Sequence, residues 1–204
     1  MNKTVLLQLI IAQLTHDPLW LGNEERVELL LHASTRLRPP SPDVVAFWDH
    51  HCQPDDGYTP VTVTVLVENG SEPALRLLEK KFADPAHEEG EKIAWMHSRF
   101  LTHRNDLLVL ESCERLLKQG LTESLQTALV ESLFDYKPDE WFRPSTASSP
   151  PDRRQATPAA RAQLRKIGEY AFAHVRLTDD EKRVVKDTLD EVGEAPKSPE
   201  NHGR

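Results

Sequence analysis

Arg76-Leu77-Leu78-Glu79-Lys80-Lys81 returns 39 positions later as Arg115-Leu116-Leu117-Lys118-Gln119-Gly120, and this echo decides the fold. The apolar positions around it agree: Ala74 with Cys113, Leu77 with Leu116, Leu78 with Leu117, Phe82 with Leu121. Each copy is followed by a short break and a second amphipathic stretch, 87–104 after the first and 123–136 after the second. A helix pair recurring at roughly 40 residues predicts a stacked array, because one pair cannot bury its apolar face alone. Short loops between the helices make them antiparallel neighbours. The expectation is an all-α fold of stacked antiparallel helix pairs.

Upstream of the echo, helices are expected at 3–15, at 24–37 and from Ser41-Pro42-Asp43 onward. Asn23 serves as an N-cap for the second, Glu24 and Glu25 occupy its first turn, and Pro39-Pro40 stop it. The stretch between Thr59 and Gly70 carries conflicting signals. Val61, Val63, Val65 and Val67 alternate with Thr62, Thr64 and Leu66, which is a strand pattern. Thr59-Pro60 is nonetheless a helix start and Glu68-Asn69-Gly70 a helix end. A lone strand finds no partner elsewhere in the sequence, so the stretch is read as helix.

Downstream, Pro144, Pro150 and Pro151 stand among Ser, Thr, Ala and Arg, and 143–157 reads as a flexible linker. A C-terminal helical hairpin is expected over 158–192, with Thr178 and Glu181 forming a capping box at the start of its second helix. Residues 193–204 carry no apolar periodicity and read as a disordered tail. The organisation is thus a repeat domain over 1–142, linker, hairpin and tail.

Composition narrows the function classes. A net charge of −8 argues against a nucleic-acid partner, which needs a basic surface to neutralise phosphates. Two cysteines 61 positions apart form no disulfide framework and read as reduced thiols in a cytoplasmic protein. The run Val5 to Ala12 is too short to span a membrane, and Gln8 interrupts it. No small-x-small cleavage site follows it before Asp17-Pro18, so 3–15 reads as a buried first helix.

Residues 73–78 followed by Phe82-Ala83-Asp84-Pro85 resemble the first helix and turn of a HEAT-like repeat. Glu91 to Leu101 resembles the second helix and 107–136 the next unit, so the resemblance covers roughly 59–142. The second helices do not superpose at the 39-residue offset, and a Pro-rich break precedes the last hairpin. What the resemblance implies is a short, curved α-solenoid that binds another macromolecule.

Several local patterns have chemical readings. Asp49-His50-His51-Cys52 spells the signature of protein palmitoyltransferases. Those are polytopic membrane proteins with a cysteine-rich zinc module, whereas this chain has two cysteines and no span. As a zinc site the tetrapeptide needs ligands from elsewhere, such as His16 or His32, because adjacent helical side chains diverge by about 100°. A solvated helix end is the plain expectation. His87-Glu88 resembles one of the paired motifs of dimetal HEAT-like hydroxylases, but it occurs once and cannot hold two metals. His97 is read as a hydrogen-bonded core histidine beside Ile93, Phe100 and Leu101, and Cys113 as a small core hydrophobe. Trp141-Phe142 reads as an aromatic pair closing the core before the linker. No cofactor is implied.

Trp95 stands off the inward stripe of 87–104, with Arg99 one turn on and His103 two turns on. It reads either as the centre of an exposed recognition patch or as packing into the adjacent repeat. The patch of Trp95, Arg99 and His103 is the candidate partner-binding site. The function expected is a non-enzymatic interaction or scaffold protein whose partner is another protein. An enzyme on a HEAT-like fold, bilin lyase-like or DNA glycosylase-like, is the alternative.

Overall fold

The computed structural model describes residues 3–14, 24–103, 105–134 and 156–193. Ten α-helices and one 3-10 turn fill these residues, and no strand occurs among them. The helices are α1 (Lys3–Leu14), α2 (Glu24–Ser34), α3 (Pro42–His50), α4 (Thr59–Asn69) and α5 (Glu72–Ala83), then α6 (Glu89–Arg99), α7 (Leu107–Lys118), α8 (Glu123–Phe134), α9 (Pro158–His174) and α10 (Asp179–Gly193). The 3-10 turn, Phe100–His103, directly continues α6.

Their packing follows one rule. Odd-numbered helices touch odd-numbered ones in succession, α1–α3–α5–α7–α9, and even-numbered helices form a parallel succession, α2–α4–α6–α8–α10. The two rows meet where α4 packs on α5, α7 on α8 and α9 on α10. The fold is therefore an all-α array of packed antiparallel helix pairs, ending in the α9–α10 hairpin. The echo in the sequence lies on neighbouring members of one row. Leu78, Leu116 and Leu117 are all but inaccessible, and Ala74 and Cys113 are fully buried. Enclosing each leucine contributes about 1.5–3 kcal/mol.

Buried carboxylates lock the row together. Glu79 of α5 accepts hydrogen bonds from Arg76 (3.0 Å), Ser112 Oγ (2.7 Å), and Arg115 Nε and Nη2 (3.0 and 2.7 Å). Arg76 and Arg115 are equivalent positions of the repeat, so one carboxylate holds both copies of the same residue. Glu114 of α7 makes the next joint: it accepts from Gln163 Nε2 (2.6 Å) and Lys166 Nζ (2.9 Å) of α9, and from Lys118. Burial alone would raise its pKa, yet these three donors hold it down at about 2.

The Val/Thr stretch is helix α4, enclosed on nearly all sides. Thr62, Val65, Leu66 and Asn69 are inaccessible, and Val63 and Val67 nearly so. A helix buried all round has no polar stripe, which is why strict alternation could imitate a strand. Its threonines stay satisfied: Thr62 Oγ1 donates to the His51 carbonyl and Thr64 Oγ1 to that of Pro60, both at 2.8 Å. Gly70 ends α4 at φ +60°, the left-handed conformation a side chain resists. The expected capping box of α10 is formed, with the Glu181 amide donating to Thr178 Oγ1 and the Thr178 amide to Glu181.

Two expectations are corrected here. Helix α1 is not a buried helix: Ile11 is enclosed, but Val5, Leu6 and Leu9 are 45%, 41% and 52% exposed. Among the described helices α3 is its main packing neighbour, and these three apolar side chains face outward. The helix expected over 87–104 ends its α-helical part at Arg99 and tightens into the 3-10 turn. The expected linker at 143–157 and tail at 193–204 lie almost wholly outside the described residues, as does Trp141-Phe142.

Candidate functional site

The centre of the patch expected on α6 is enclosed. Trp95 is 6% exposed, with its ring edge-on to Phe82 at 5.7 Å and to His87 at 5.1 Å. The Phe82 ring also stacks on that of Phe100 at 5.8 Å. The physical reason is the two-row packing: a helix inside the array is covered on two faces, and Trp95 fills the second. His103 lies in the 3-10 turn rather than one helical turn beyond Arg99, so the four-residue spacing no longer aligns the three positions. The side chain of Arg99 lies outside the described residues.

The tetrapeptide Asp49–Cys52 is not a solvated helix end either. His50 is exposed, but His51 and Cys52 are enclosed at the close of α3. His51 Nδ1 lies 3.4 Å from Asp56 Oδ2, and its ring meets Phe47 and Tyr58 edge-on. Burial lowers its proton affinity against the pull of Asp56. His87 behaves alike: burial lowers its pKa, opposed by the Cys52 backbone and Asp84. Asp49 Oδ1 pairs at 2.6 Å with Lys81, which is 2% exposed. The Cys52 thiol is pushed up to about 12, chiefly by burial, so it is protonated and not a nucleophile at neutral pH. Among the described residues no three His, Cys, Asp or Glu side chains are placed to hold one metal ion. His32 lies exposed beside Glu28, and His16 is outside the described residues. The cluster makes the α3–α4 junction a packed polar core.

The open surface of α6 lies on its other side. Ile93 and His97 of α6 face Glu123, Thr127, Ala128 and Glu131 of α8 across a shallow groove of about 440 Å³. The three α8 positions Glu123, Thr127 and Glu131 are four apart and so form one file along the helix. Ile93 and Ala128 give the groove an apolar floor. Its α8 side is acidic, the Glu123 and Glu131 side chains being 61% and 39% exposed. His97 is a correction to the expected core histidine. Its side chain is 39% exposed, with Nε2 3.7 Å from Glu131 and Nδ1 3.5 Å from Ser132 Oγ. The helical wheel placed it with Ile93, and it does lie there, but on the rim of a groove. Sequence reasoning reads Leu125, Ala128, Leu129, Ser132 and Leu133 as inward and passes over the α8 carboxylates, although the file Glu123-Thr127-Glu131 on the opposite side is readable from its spacing.

A second groove, of about 490 Å³, lies on the other row between α3 and α5, with Val45, Pro73 and Leu77 in its lining. Its charged members are of both signs and paired with one another or with their own helix: Lys80 with Asp49 at 3.3 Å, and Arg76 with Glu72 at 2.7 Å and Glu79 at 3.0 Å.

Comparison of the chain with family models, with curated proteins and with solved structures finds no match in any of the three. No described helix is long and apolar enough to cross a membrane.

Proposed function

We propose that this chain is a non-enzymatic interaction protein whose recognition surface is the outer face of the even row, centred on the groove between α6 and α8. The observation that carries this reading is the unequal division of charge between the rows. Helices α2, α4, α6, α8 and α10 carry fourteen acidic residues against six basic. Helices α1, α3, α5, α7 and α9 carry seven acidic against nine basic. A polarised face along a rigid helical array favours oriented encounter with one partner and disfavours others. The thiol and imidazoles of the Asp49–Cys52 cluster add no reactive surface of their own, since His51, Cys52 and His87 are enclosed with Lys81 and serve packing.

The test is capture from the native cell with the intact chain as bait. Thr127→Trp fills the groove without changing charge. It is expected to abolish capture of whatever protein the wild type retains, at an unchanged melting temperature. Equal capture by Thr127→Trp would move the recognition surface elsewhere.

A further inference from the structure

We infer that the α6–α8 groove receives a basic amphipathic helix of another protein, an apolar residue seated on Ile93 and Ala128 and flanked by Lys or Arg that meet Glu123 and Glu131. This rests on the proposed recognition surface and specifies its occupant. The groove runs between two neighbouring helices of one row, and a third helix is the shape that fills such a furrow. Its two carboxylates stand two turns apart on α8, about 12 Å by helical rise. A helix laid alongside reaches both with basic residues seven or eight positions apart.

Charge selects the sign of the occupant. Among the partners of Glu123 and Glu131 are surface groups at ion-pair distance, Arg176 at 3.5 Å and His97 at 3.7 Å. The Arg176 side chain is 84% exposed. Exposed pairs of this kind are readily exchanged, so a guanidinium or ammonium brought in by a partner can take over either carboxylate. An acidic helix would meet these carboxylates and the acidic excess of the whole row, and like-charge contact at an interface is strongly disfavoured. The groove on the odd row offers no equivalent, since its lining mixes the basic Arg76 and Lys80 with the acidic Asp49 and so does not select a basic occupant.

The experiment uses the intact chain and a labelled amphipathic helical peptide bearing two lysines seven positions apart around a leucine, with a glutamate version as control. Binding is followed by fluorescence anisotropy at low and at physiological ionic strength. The lysine peptide is expected to bind and to weaken as salt shortens the screening length from about 30 to 8 Å. The pair Glu123→Gln and Glu131→Gln is expected to weaken it roughly tenfold or more, the loss of about 1.4 kcal/mol. The pair Glu25→Gln and Glu28→Gln on α2 removes the same charge from the same row and is expected to leave binding within about twofold. Equal loss from both pairs would mean general attraction to an acidic chain and would overturn the inference, as would equal binding of the glutamate peptide. The two readings fail separately. If Thr127→Trp abolishes cellular capture while the Glu123/Glu131 pair leaves it intact, the groove stands and its basic occupant falls. If neither variant alters capture, the groove reading falls as well.

Discussion

Glu79 and Glu131 are the same residue put to opposite uses on the two rows of one array. Glu79 is 4% exposed and saturated by Arg76, Ser112 and Arg115, so its charge is spent inside the fold. Glu131 is 39% exposed at the edge of a groove and leans on a histidine 3.7 Å away. The contrast extends to the rows. In the odd row, Glu79 and Glu114 each tie one helix to the next. In the even row, the carboxylates of α8 and the paired acids of α10 face solvent or bind loosely. A carboxylate that joins helices specifies the stacking, and one that faces water can specify a partner. The neighbouring helix separates the two: α7 brings Ser112 and Arg115 onto Glu79, whereas Glu131 stands at a groove.

The largest effects should come from enclosed side chains on either row. Glu79→Ala strips the shared acceptor from a serine and from two arginines that keep Glu72 within reach, and losing hydrogen bonds to a buried charged group costs about 1.5–3 kcal/mol. Urea denaturation measures it, and a loss under about 1 kcal/mol would make Glu79 a surface group despite its burial. Trp95→Ala empties an aromatic site between Phe82 and His87 and should cost about 3–5 kcal/mol. A near-neutral outcome there would restore Trp95 to the surface and reopen the patch expected from the sequence.

Those two substitutions also mark what the sequence made legible. The repeat, the all-α fold and most helix boundaries followed from periodicity, caps and prolines, because these are local signals. Even α4, whose Val/Thr run reads as strand by propensity, was recovered from its end signals. Neighbours were not legible. Trp95 stands off the inward stripe and reads either as exposed or as packed into the adjacent repeat; the wheel alone does not choose, and the second covered face of a helix within two rows decides for packing. The reading of α1 erred: its apolar residues implied burial, although Val5, Leu6 and Leu9 face outward. His51 and Cys52 looked solvated at a helix terminus, and only the approach of α4, α5 and His87 encloses them. The acidic file on α8 was spaced for reading, yet nothing in the sequence said that α6 would stand opposite and turn it into a groove.

An intermediate effect is expected from pH, and it sharpens the comparison because two kinds of buried group act in separate windows. His51 and His87 have folded pKa values below the ordinary 6.5, so the unfolded chain binds protons that the folded one refuses. Stability therefore falls as pH drops below about 6.5. Glu114 sits at about 2 against an ordinary 4.5, so its contribution is full above 4.5 and is lost as pH falls towards 2. Urea midpoints followed from pH 8 downward should decline in these two steps. Glu114→Gln should flatten the lower step and leave the upper one, while His51→Gln with His87→Gln should do the reverse. A single step beginning below pH 4.5 would show that the histidines accept protons without cost to the fold.

The smallest effect is the most discriminating for the contrast between the rows. Glu123→Gln and Glu131→Gln remove charge without removing volume, at side chains whose partners include Arg176 at 3.5 Å and His97 at 3.7 Å. Exposed pairs contribute at most about 1 kcal/mol, and changes at open surface positions commonly stay within about 0.5 kcal/mol. Removing two negative charges from an acidic row also relieves repulsion, which opposes even that small loss. The pair should therefore melt within a few degrees of the wild type while Glu79→Gln, the same chemical change on the other row, melts clearly lower. The difference between the two is the measurement, because both lose a carboxylate and only one loses a joint between helices. If Glu123→Gln with Glu131→Gln destabilises as much as Glu79→Gln, the even-row carboxylates are structural after all, and charge at the groove is already committed to holding α6, α8 and α10 together.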